Sequence, residues 1–199
     1  MLELMTRLVD QFGAPAIGAL MLLENLFPPI PSELIMTGAG YHAAQGRIGL
    51  LAVILWGTFG SVAGALFWYF IGRAVGTARL QRLAARHGRW LTLSPEDIAA
   101  TEAWFQRHGR MAVFFGRLVP TVRTLISIPA GMAGMPLLPF LAYTSLGSLI
   151  WTGFLAVAGW VLGEAFGQVD AWLNPVSTAV VLGIIGFYLY RVITWKAPQ

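Results

Sequence analysis

The sequence predicts an all-α polytopic membrane protein, built as an inverted repeat of a re-entrant helical hairpin followed by a transmembrane helix. Three observations point there. Hydrophobic residues fill 57% of the 199 positions and charged residues 11%, where a soluble domain carries about 45–50% and about 25%. Residues 48–72 hold no Asp, Glu, Lys, Arg or His, a run longer than the roughly 20 residues a helix needs to cross about 30 Å of hydrocarbon. Two other apolar stretches are interrupted by proline and carry charges, and irregular backbone at membrane depth is tolerated only where it folds back against protein or water.

The elements follow in order within one membrane domain, residues 1–199. Met1 to Gln11 carries Glu3, Asp10 and Arg7; it lacks the basic start of a signal peptide and is expected to stay in the mature chain, on a side its balanced charge does not fix. Residues 12–46 read as the first hairpin. Pro28, Pro29 and Pro31 end its outgoing arm, since each lacks a donor N–H and disfavours helix in the residue before it. Ser32 can cap a return arm running toward Gly38 and Gly40. Residues 48–72 form the first span, long enough to tilt.

Residues 73–110 contain seven arginines against Glu96, Asp97 and Glu102, which places them in the cytoplasm as amphipathic helices. Leu80, Leu83 and Ala84 share one face there. Ser94 is the expected N-cap of a second helix, with Pro95 at its first position and Glu96 and Asp97 complementing its dipole. Residues 111–136 read as the second hairpin, broken at Pro120 and returning through Pro129, Ala130 and Gly131. Spans at 137–163 and 176–195 complete the chain. Arg191 and Lys196 put the C-terminus in the cytoplasm, and the acidic turn from Glu164 to Asp170 outside.

The inverted repeat rests on an internal match. Shifting the chain by 91 positions pairs Gly18 with Gly109, Pro29 with Pro120, Gly40 with Gly131, Gly72 with Gly163 and Gly76 with Gly167. The turn after the span is basic in one copy, at Arg73, and acidic in the other, at Glu164. The copies are therefore expected to face opposite ways, as in secondary transporters.

Four charged residues flank the breaks: Glu24 and Glu33 in the first hairpin, Arg117 and Arg123 in the second. An unpaired charge at the bilayer centre costs about 2.5–3.5 kcal/mol, so the acids and arginines are expected to face one another near the midplane. An arginine fork suits a phosphate, and a half-helix N-terminus adds partial positive charge. A neighbouring acid can exchange a proton as arginine alternates between carboxylate and substrate. Gly60 and Gly64 form a small-xxx-small pair for close helix packing, while Trp68, Tyr69, Trp151, Trp160 and Trp195 read as interface anchors. His42, His87 and His108 lack metal-ligand spacing, cysteine is absent, and no nucleophile–base set or nucleotide fingerprint stands in the chain. The expectation is no enzyme, no cofactor, no metal and no nucleic acid.

The stretch from Glu24 through Asn25-Leu26-Phe27-Pro28-Pro29-Ile30-Pro31-Ser32 to Glu33, and that from Phe114 through Phe115-Gly116-Arg117-Leu118-Val119-Pro120-Thr121-Val122 to Arg123, resemble the paired signatures of the DedA family, also described as SNARE-associated or VTT-domain proteins. Gly60, Gly64, Tyr69, Ile71-Gly72-Arg73 and Ala130-Gly131 fit the same resemblance. It implies opposed re-entrant hairpins in a bacterial inner membrane, and activities that include recycling undecaprenyl phosphate and scrambling or flipping phospholipids, in some members driven by proton-motive force. Position by position it puts the required acids on Glu24 and Glu33 and the required arginines on Arg117 and Arg123, although some members carry aspartate, at wider spacing, where this chain has Glu33. The function expected is an inner-membrane transporter that flips or recycles an anionic lipid, most simply undecaprenyl phosphate, with the coupling to proton-motive force that the resemblance implies for some members. Phospholipid scrambling and proton-coupled transport of a small cation or drug are the alternatives. Sequence does not fix whether the chain forms a homo-oligomer.

Overall fold

The computed structural model describes residues 7–9, 11–27, 32–91, 94–120, 122–162, 186 and 190–194. Pro28, Pro29, Pro31, Thr121, the Glu164 to Asp170 turn and most of the span expected at 176–195 lie outside the described residues. Within them the chain is helical and contains no strand. The elements are α1 (Ala14–Leu26), α2 (Ser32–Ala44), α3 (Leu50–Leu91), α4 (Pro95–Leu118), α5 (Ser127–Met132) and α6 (Leu137–Leu162).

Two of these, α6 and the Leu50–Arg82 part of α3, are long and apolar enough to cross a membrane. Their outward faces carry Leu51, Leu55, Phe59, Leu138, Phe154 and Val161, each more than half exposed. Water would penalise such a continuous apolar surface; lipid does not. The helix expected over residues 48–72 runs on to Leu91, so span and basic extension are one element, interrupted at Gly76, where φ is +66°. Gly109 does the same inside α4, with φ +37° and ψ −108°, where the amphipathic segment gives way to the apolar arm. Left-handed backbone of this kind is nearly free for glycine and costly for other residues, so one glycine sits at each end of the basic segment.

Ser94 begins α4 as expected. Its hydroxyl accepts from the Asp97 backbone N–H at 3.0 Å, and the Asp97 carboxylate accepts from the Ser94 N–H at 3.0 Å, a reciprocal capping box. Hydrogen bonding to the carboxylate, from the Ser94 backbone N–H first and from the Ser94 side chain second, holds the Asp97 carboxyl below the usual carboxylate range. A depressed folded-state pKa means the cap stabilises above the unfolded-state value of about 3.9 and is lost as pH falls through the lower folded value. Ser94→Ala should cost about 1 kcal/mol, read as a lower melting temperature near neutral pH, and the deficit should shrink under strongly acidic conditions.

Packing is crossed rather than sequential. The outgoing arm α1 lies on the span that follows it, α3, while the return arm α2 lies chiefly on the distant span α6; likewise α4 lies on α6, which follows it, and α5 on α3. Glycines make the close approaches. A Cβ added at Gly72 on α3 would strike the Ile128 carbonyl of α5, and one at Gly159 on α6 would strike the Thr37 carbonyl of α2. Added Cβ atoms at Gly131 and Gly40 would strike the carbonyls of Tyr69 and Ala156. Thr37 and Ile128 stand 91 positions apart, but Gly72 and Gly159, Tyr69 and Ala156, and the span starts Leu50 and Leu137 all stand 87 apart. The contacting positions on the short helices thus stand 91 apart and those on the spans 87, a difference of four residues, about one helical turn.

Two apolar clusters frame the crossing of α3 with α6. One gathers Ile17, Met21, Ile35, Met36, Val53 and Leu155; the other gathers Tyr69, Phe105, Val113, Ile126, Ala130 and Phe140. Tyr69 is fully buried, stacks on Phe140 at 4.4 Å between ring centroids and donates its hydroxyl to the Met135 carbonyl. It is a core residue, not the interface anchor expected. Polar side chains occupy the space between the clusters.

Candidate functional site

Ser61 and Ser148 meet where the spans cross, their hydroxyls 3.5 Å apart. Each stands 11 residues into its helix, about 16 Å at 1.5 Å per residue, or half of the roughly 30 Å hydrocarbon thickness. With each span entering the hydrocarbon at its first helical residue, the crossing would lie near mid-depth, where an ionised group is most costly.

Four charges were expected to meet here, and the structure joins two of them directly. Glu24, at the end of α1, accepts a hydrogen bond from Nη2 of Arg123, in the turn after α4, as a buried ion pair between the two broken segments. Glu24 and Arg123 are each 4% exposed and Arg117 2%. Arg117 lies at the end of α4 and donates through Nη2 to the Ser127 hydroxyl that opens α5. It and Glu33, half-buried in the first turn of α2, act electrostatically on Glu24 without an ion pair of their own among the described residues. Pro120 is exposed beside Arg123, and Gly131 is buried against α3. The second break keeps its backbone bonded, with Arg123 N–H donating to the Val119 carbonyl at 3.0 Å and Ile126 N–H to the Val122 carbonyl at 2.9 Å, as a backbone away from water must.

Asn25 ties the pair to the crossing. Its side-chain amide N–H donates to Glu24 at 3.4 Å and to the Ser61 hydroxyl at 3.1 Å, and its backbone carbonyl accepts from the Trp68 indole at 2.8 Å. Beyond Ser148, Thr152 and Thr58 share a hydrogen bond of 2.8 Å. A polar thread therefore runs from Glu24 through both spans. A separate apolar cavity of about 360 Å³ lies outside this cluster, between Val122, Leu125 and Ile98, with Asp97 and Glu102 in its wall. Among the described residues no three His, Asp or Glu side chains come together as metal ligands.

The VTT domain family model matches residues 30–161. The chain belongs to this family, the DedA family of membrane proteins. It is 43% identical over 188 residues to an "alkaline phosphatase-like protein" of Lactococcus lactis subsp. cremoris, covering 93% of this chain and 88% of that one. It is 34% identical over 193 residues to undecaprenyl phosphate transporter A of Staphylococcus aureus, covering 97% of this chain and 95% of the relative. The protein of the same name in Bacillus subtilis is 33% identical over 193 residues, covering 96% and 92%. No solved structure matches.

In this DedA-family chain the charged residues were legible because charge inside apolar sequence stands out. Their neutral neighbours were not singled out. Asn25, Ser61, Ser127 and Ser148 are each at most 3% exposed, and a polar residue in the middle of an apolar span is the signal that marks Ser61 and Ser148. Trp151 was expected at an interface; it is half-buried, with the Arg123 guanidinium carbon 5.8 Å from its ring centroid, within cation–π range.

Proposed function

We propose that this protein translocates an anionic lipid phosphate across the bacterial inner membrane, with undecaprenyl phosphate as the foremost substrate. The observation that carries this is the buried Glu24–Arg123 pair joining the two broken segments, with Arg117 buried beside it. A guanidinium matches carboxylate and phosphate equally well. Arg123 can therefore leave Glu24 for a phosphate, with Arg117 as a second clamp, while the lipid tail stays in the bilayer. Glu24 released at this depth is stabilised by taking a proton, since burial disfavours its ionised form; Glu33, acting on it electrostatically, assists. That exchange couples substrate to protons, so that each resets the other.

The crossed contacts of the two arms with the two spans support a pair of opposed re-entrant hairpins related by an inverted repeat, the first opening outward and the second toward a cytoplasm that also holds the C-terminus. Two relatives named undecaprenyl phosphate transporter A support the substrate. The relative named alkaline phosphatase-like calls for a phosphate-release arm in the test.

The experiment follows headgroup accessibility of labelled undecaprenyl phosphate, with a phospholipid control, in proteoliposomes of wild type, Arg117→Ala and Glu24→Ala. Selective movement by wild type and at least tenfold slower movement by both folded variants is the expected result. Equal movement of both lipids makes the protein a scramblase. Phosphate release without movement makes it a phosphatase, and movement of neither lipid under a pH gradient favours export of a cation or drug.

A further inference from the structure

Translocation as proposed assigns α6 no role beyond scaffold. Yet three buried polar atoms with no hydrogen-bond partner gather along it: Arg117 Nε, Thr144 Oγ1 and Trp151 Nε1. Thr144, Gly147, Ser148 and Trp151 stand on one face of α6, because residues three and four apart stack along a helix. Arg117 crosses that face at Gly147, where an added Cβ would lie 2.7 Å from the Arg117 Cβ. Arg123 reaches the same face over the Trp151 ring, and Ser61 reaches it at Ser148. Thr144 is thus one turn to one side of the Arg117 crossing, and Trp151 one turn to the other.

The chemistry of these atoms narrows what they would bind. Guanidinium Nε–H and indole Nε1–H can only donate, and a threonine hydroxyl donates freely. A buried donor left without an acceptor is destabilising, and such groups beside two arginines are met by an anion rich in acceptor oxygens. A cationic headgroup would leave them unmet, and a lone hydroxyl oxygen, with two lone pairs, would meet only part of them.

We propose that α6 completes the phosphate site: the Trp151 indole N–H and the Thr144 hydroxyl donate to phosphate oxygens held between Arg117 and Arg123. Trp151 then carries two functions. Its ring face steadies the Arg123 guanidinium, and its edge reads the headgroup. Four donor groups from α4, the turn after it and α6 surround one tetrahedral anion, so phosphate is preferred over the corresponding alcohol by more than charge alone. This inference rests on the translocation reading, and the experiment separates the two.

The full-length protein in nanodiscs is titrated with a fluorescent farnesyl phosphate and, as a phosphate-free control, with the matching farnesol. Trp151→Phe keeps a ring beneath Arg123 and removes the N–H; Thr144→Val keeps the shape and removes the hydroxyl; Thr144→Ser restores it. One hydrogen bond to a charged group converts to roughly tenfold in affinity. The expected result is farnesyl phosphate binding weakened about tenfold by Trp151→Phe and by Thr144→Val, recovered in Thr144→Ser, with farnesol binding unmoved. Unchanged phosphate affinity in both donor-deleted variants overturns the role of α6 and leaves translocation standing. Parallel weakening of both probes also overturns it, since that is a packing effect. A wild type that binds farnesol as tightly as farnesyl phosphate overturns the translocation reading and this inference together.

Discussion

Arg123→Ala is expected to lower stability by about 3–5 kcal/mol and to abolish headgroup movement, because it strands the Glu24 carboxylate in a buried position. The pair is 5% exposed on each side chain, so neither partner can turn to water when the other is removed. Glu24→Gln/Arg123→Gln together should recover most of the lost stability, since two neutral amides of similar length can bond to each other where the ions did. Transport should not recover with it, because the double variant has no guanidinium to offer a phosphate and no carboxylate to exchange a proton. Thermal unfolding in detergent and the proteoliposome assay read the two effects separately. A cost under about 1 kcal/mol for Arg123→Ala is what an exposed ion pair gives, and it would remove the ground for treating this contact as the centre of the protein.

The separation between stability and transport bears on what the sequence could say. Glu24 and Arg123 are 99 positions apart, and only the cost of unpaired charge in hydrocarbon argued that they meet. That argument fixed the participants but not the pairing. It placed two acids opposite two arginines, whereas Arg117 bonds to Ser127, ten positions on. Serine and threonine are difficult to read in spans because they can satisfy themselves locally, as Thr58 does by donating to the Ile54 carbonyl at 2.7 Å. Ser61 and Ser148 bond across the crossing, and Thr58 also meets Thr152 there, choices set by tertiary approach. Tyr69 misled for a related reason. An aromatic with a polar tip suits an interface, but its hydroxyl found the Met135 carbonyl and accepts from Arg73 at 2.8 Å, which makes burial affordable. Helix ends were legible where their chemistry is local, at Ser94 and before Pro120; the cap expected of Ser32 was not borne out, since its buried hydroxyl has no hydrogen-bond partner. The continuation of α3 past Gly72 was not, because a change from apolar to basic residues marks the expected edge of a membrane and not the end of a helix.

Gly72→Ala and Gly159→Ala should each destabilise the protein by about 1–3 kcal/mol, as overpacking does, toward the upper end because a backbone carbonyl yields less readily than a side chain. Gly153→Ala, on the same helix as Gly159, should be neutral or stabilising by up to about 1 kcal/mol, since a Cβ there meets nothing within 4 Å and alanine is the better helix former. Composition cannot distinguish these glycines; contact can. The first substitution pushes α5 off α3 and the second pushes α2 off α6, so one wedge acts on each broken segment. If the two halves are related by an inverted repeat in the 87-residue register of the spans, the two costs should be close, and each variant should slow headgroup movement while leaving the Glu24–Arg123 pair chemically intact. A large cost at one of these glycines beside a small cost at the other would break the structural equivalence of the two contacts, and with it that of Ser61 and Ser148, which also stand 87 positions apart.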